Sequence, residues 1–70
     1  MTTELEALRR LGRALADRDA KELAAFHARN SPELATFVDA RDAAVAEVNV
    51  ARCAVDEHAR ALAARPSEAA

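Results

Sequence analysis

Apolar residues recur along the first part of the chain at three- and four-residue steps. Leu5, Leu8, Leu11, Gly12 and Leu15 form one stripe. After a polar stretch at Asp17-Arg18-Asp19 the pattern resumes at Leu23 and Phe26. Such steps put residues on one face of an α-helix. Thr3 and Glu6 have capping-box spacing, and Glu4 and Glu6 lie where the helix dipole favours negative charge. A first helix is therefore expected over about residues 4–29. Asp19 and Glu22 repeat the capping spacing, so a kink near Asp17–Asp19, closing as a three-helix unit, is the alternative. The continuous helix is favoured, because sharp kinks usually have a Pro or Gly at the break and none stands there.

Asn30-Ser31-Pro32-Glu33 is the clearest punctuation in the chain. Asn tolerates the left-handed conformation that ends helices. Ser suits an N-cap, Pro the first helical position, and Glu the positive end of the dipole. A second helix is expected over about residues 32–65. Leu34, Phe37, Val38, Arg41, Val45, Val48, Arg52, Val55, Ala59 and Leu62 give it a heptad-like seam, and Pro66 stops it. At about 1.5 Å per residue it would be roughly 50 Å long. Residues 66–70 read as a flexible tail. The fold class expected is all-α: residues 1–65 form one antiparallel helical hairpin with a long second helix.

Folding the chain at the turn sets Leu23 near Val38, Leu15 near Val45, Gly12 near Val48, Leu5 near Val55 and Asp19 near Arg41. The expected core or interface is Leu5, Leu8, Gly12, Leu15, Leu23, Phe26, Leu34, Phe37, Val38, Val45, Val48, Val55 and Leu62. Glycine inside a helix costs about 1 kcal/mol relative to alanine, and a close backbone approach would account for Gly12. An Asp19–Arg41 ion pair would join the polar interruptions of the two helices. Helix two also has a second small-residue face at Ala43, Ala46, Val50, Cys53, Ala54 and Ala61. One hairpin covers one face of each helix, so a second layer is expected. The economical one is a homodimer forming a four-helix bundle.

Composition supports this picture. Seventy residues give at most one domain with a marginal core, and Cys53 alone permits no internal disulfide. Together with His27 and His58 it falls short of the four ligands of a structural zinc site. Cys53 and His58 are five apart, on different helical faces. No metal or other cofactor is expected. The formal charge is −2, which gives no general attraction to nucleic acid or anionic membrane. Nine arginines to one lysine, with abundant alanine, read as the coding bias of a high-GC bacterium or its phage. No apolar run approaches the roughly 20 residues of a membrane span, and the first residues lack signal-peptide character. A cytoplasmic location is expected.

Little in the chain suggests catalysis. Acidic pairs such as Asp39/Asp42 and Asp56/Glu57 need a desolvated pocket to tune them, which a slim hairpin lacks. There is no nucleophile elbow and no Gly-rich loop. The expected function is that of a non-enzymatic protein that self-associates and binds or modulates another protein, such as a phage or bacterial accessory factor. The alternative is a nucleic-acid-binding regulator using Arg9, Arg10 and Arg13, a local basic cluster that a two-fold dimer would present twice.

Overall fold

The computed structural model describes residues 3–65. They form two helices, α1 over Glu4–His27 and α2 over Leu34–Ala63, packed together as a hairpin. The molecule is a rod with extents of 61 × 20 × 13 Å. α1 passes through Asp17–Asp19 without interruption. The tail expected at residues 66–70, with Pro66 as the stop, lies outside the described residues.

Thr3 caps α1 as its spacing predicted: its hydroxyl accepts from the Glu6 amide at 3.1 Å. The helix ends two residues early, with Ala28 as C-cap. No described residue outside glycine has a positive φ, so Asn30 does not use the left-handed conformation expected of it. The connection is instead a run of tight turns. The Ser31 amide donates to the Ala28 carbonyl at 2.8 Å, and the Leu34 amide donates to the Ser31 carbonyl at 3.2 Å. The Ser31 hydroxyl accepts from the Glu33 amide at 3.1 Å. Ser31 and Pro32 thus lead into α2, but regular helix begins only at Leu34.

The seam between the helices is made mainly of alanine. Ala7, Ala14, Ala25 and Ala28 are buried on the α1 side, with Ala44, Val48 and Ala51 on α2. Ala7 and Ala51 are fully buried and Val48 is 2% exposed. Half-buried residues fill the same rows. On α1 the row reads Ala7, Leu11, Ala14, Arg18, Lys21, Ala25, Ala28, and on α2 Leu34, Phe37, Arg41, Ala44, Val48, Ala51, Val55, His58. Both advance by alternating steps of three and four, the 3.5-residue period of coiled-coil packing.

This corrects the expected seam on α1. Leu5 and Leu23 are 56% exposed, Phe26 59% and Leu8 46%. Leu15, with Leu11, flanks the cluster of Ala14, Val48 and Ala51. Gly12 is exposed, and a Cβ added there would meet nothing within 4 Å, so it accommodates no close approach inside the hairpin. The stripe is rotated by roughly 120° from the face that meets α2, at about 100° per residue. On α2, Val48 is buried and Leu34, Phe37, Val38, Val45 and Val55 are half-buried, while Leu62 is 55% exposed. α2 has 30 residues and α1 has 24, so Leu62 overhangs the start of α1.

The Asp19–Arg41 pair does not form. Arg18, not Asp19, holds the seam position. Its guanidinium takes the neighbouring Asp19 at 3.3 Å, and Arg41 takes the neighbouring Asp42 at 3.1 Å.

An alanine seam is sensitive to added volume. Ala51→Leu should destabilise the hairpin by about 1–3 kcal/mol, because extra methylenes force a tight core apart. Ala43→Leu, at an exposed position, should stay within about 0.5 kcal/mol. Urea unfolding followed by circular dichroism separates the two. Equal effects would remove the seam described here.

Candidate functional site

The hairpin has two long edges where the helices meet, and they differ in chemistry. Along one, Glu22, Ala25 and Phe26 of α1 and Leu34, Val38 and Arg41 of α2 line an open groove of about 500 Å³. Leu15 and Leu8 lie two and four helical turns before Glu22, on the same side of α1. Leu5 and Leu23 stand just outside them. This is an apolar edge of large side chains. Phe26 is covered on one side by Arg29, whose guanidinium carbon sits 4.4 Å from the ring centre. Arg29 also donates to the Phe26 carbonyl at 3.1 Å.

Arg10, Arg13, Ala14, Asp17 and Glu47 line the other edge. Here Arg10 Nε donates to Glu47 Oε1 at 2.8 Å, and the pair ties α1 to α2. Lys21 bridges Asp17 one turn away, also at 2.8 Å. Ala43 and Val50 lie one turn to either side of Glu47, so the small-residue face of α2 belongs to this polar edge. Ala43, Ala46, Val50, Cys53 and Ala61 are exposed there, and Ala54 is half-buried. The two surplus faces therefore point to opposite sides of the hairpin.

The basic cluster is divided by the same geometry. Arg10 is engaged by Glu47. Arg9 and Arg13 are exposed and have no ion-pair partner among the described residues. His27, Cys53 and His58 are not brought together, and no group of His, Cys, Asp or Glu among the described residues is placed to hold a metal. No described helix is long and apolar enough to cross a membrane.

The accessible surface is 5405 Å². A compact monomer of 7.5 kDa would expose about 4,200 Å². The excess of roughly 1,200 Å² is that of a 61 × 20 × 13 Å rod over a compact globule. The large residues of the apolar edge are among those expected as core or interface, and the pairing expected for Leu5, Leu15 and Leu23 was with α2 across the hairpin. The heptad row of alanines was present in the sequence as the missing signal.

The fold and its faces define a class: an antiparallel two-helix hairpin with an apolar edge and a polar edge. Comparison of the chain with protein-family models, with curated proteins and with solved structures returned no match.

The Arg10–Glu47 hydrogen bond raises the arginine pKa and holds the Glu47 carboxyl below its ordinary value. A lowered carboxyl pKa in the folded state stabilises that state above the unfolded group's titration. The contribution is lost as pH falls through the folded value. Glu47→Gln should be slightly less stable than the parent at pH 7, and the difference should shrink towards pH 3. The pair is half exposed, so the effect is small and should weaken with salt. Urea midpoints of both proteins at the two pH values check this.

Proposed function

We propose that this hairpin is a non-enzymatic interaction protein that self-associates, forming a four-helix bundle, and binds or modulates another protein. One observation carries the reading: Leu5, Leu8, Leu23 and Phe26 are about half exposed along one helix while alanines fill the hairpin's own seam. Burying a Leu or Phe side chain fully is worth about 1.5–3 kcal/mol, and alanine offers much less area. A hairpin acting alone would gain by turning the leucines inward. A second layer over the leucine edge accounts for their position, and contiguous apolar patches of this kind commonly mark interaction sites.

The opposite edge supports the second half of the proposal. It combines small side chains at Ala43, Ala46 and Val50 with the charged groups Arg10, Arg13, Asp17 and Glu47. Such a mixed surface suits a reversible contact with a different protein, as in a bacterial or phage accessory factor. A nucleic-acid reading draws less support, because Arg10 is already neutralised by Glu47.

The test is the solution mass by light scattering after size exclusion, across a range of concentrations. A dimer is expected. Leu8→Glu combined with Leu23→Glu should convert it to a helical monomer, because the change places two carboxylates on each apolar edge. A monomeric parent at all concentrations would overturn self-association.

A further inference from the structure

The exposed stripe of α1 is symmetric about its own middle. Leu5 and Leu8 lie as far before the midpoint between Leu15 and Ala16 as Phe26 and Leu23 lie after it. Between them lie Gly12 and Ala16, both exposed, with the half-buried Leu15. A two-fold axis passing beside that midpoint, at the surface of the stripe and perpendicular to the helix, sets each end of the stripe against the other end in the partner. Self-complementarity of this kind is what an isologous dimer interface requires. We infer that the occupant of the apolar edge is a second copy of this chain, with the two α1 helices antiparallel and crossing at Leu15 and Ala16, one turn from Gly12. The inference rests on the self-association proposed above and specifies its geometry.

Three features fit this arrangement. Leu5 and Leu8 of one copy would meet the partner's Phe26 and Leu23, beside the groove at Leu34 and Val38. Gly12, which no contact inside the hairpin explains, would leave room one turn from the crossing for the partner's Asp19. Charge also complements. Asp19 would face the partner's Gly12, with the partner's Arg9 and Arg13 within a turn, and the acidic start of α1 would lie by the partner's Arg29.

Disulfide trapping tests the crossing. Ala16→Cys and Ala46→Cys, each with Cys53→Ala, are oxidised at a concentration where the parent is dimeric. Ala16 lies next to the two-fold and Ala46 on the polar edge. The Ala16→Cys protein should form a covalent dimer at least tenfold faster. An equal or faster rate for Ala46→Cys would overturn the geometry and leave the dimer standing. A monomeric parent would overturn both. Gly12→Leu gives an independent measure. It has open space in the single hairpin, so helicity should persist while the dimer dissociation constant rises at least tenfold. An unchanged constant would also overturn the crossing.

Discussion

Ala7, Ala14, Ala25 and Ala28 on one helix meet Ala44, Val48 and Ala51 on the other, and this packing sets the rest of the molecule. Helices joined through small side chains approach closely, and close approach leaves little rotational freedom. Once the alanine row of α1 faces α2, every other row is fixed by the helical repeat. The leucine stripe is carried out to one edge and the Arg10, Arg13 and Asp17 row to the other. The middle of the seam is its polar section: Arg18, Lys21 and Arg41 are half-buried there, and each turns its charged end to a nearby acid. The buried apolar cluster is that of Ala14, Val48 and Ala51, with Leu11 and Leu15 packed against it.

Such a seam is specific but provides little free energy. Burial stabilises roughly in proportion to apolar area, and alanine contributes little of it. Chains below about 70–80 residues rarely gain enough from one core and commonly add disulfides, metals or association. Cys53 is a free thiol, and no metal-binding group occurs among the described residues. Leu5, Leu8, Leu23 and Phe26, left about half exposed on one helix, are a reserve of apolar burial among the described residues. The physical case for a second layer comes from this inversion, with small residues inside and large ones outside.

Much of the fold was legible in the sequence. The two helices, the continuity of α1, the Thr3 cap and the turn at Ser31 follow from periodicity and local chemistry. The level of pairing was also close: Gly12 was expected near Val48, and Ala14 packs there. The rotation of α1 was not legible from hydrophobicity alone. Leucines outrank alanines on any scale of burial, so the leucine stripe was read as the seam. What overrides that ranking is geometry. Ala7, Leu11, Ala14, Arg18, Lys21, Ala25 and Ala28 keep an unbroken heptad that matches the one on α2. The leucine row changes step between Leu15 and Leu23. Asp19 was misplaced for the same reason, since a rotated helix puts Arg18 where Asp19 was expected.

The same rotation explains why α2 could suggest a second layer without locating it. Its small face lies beside Glu47, and the Arg10 pair crosses that edge between the helices. A partner packing there against apolar side chains would have to desolvate the pair, which costs more than it returns unless new hydrogen bonds replace water. The leucine edge carries no such bridge among its described contacts. Glu22 and Arg41 border its groove, but neither joins the two helices there. Tight apolar packing is thus less costly on the leucine edge, and a solvated, exchangeable contact is better matched to the edge of Arg10 and Glu47.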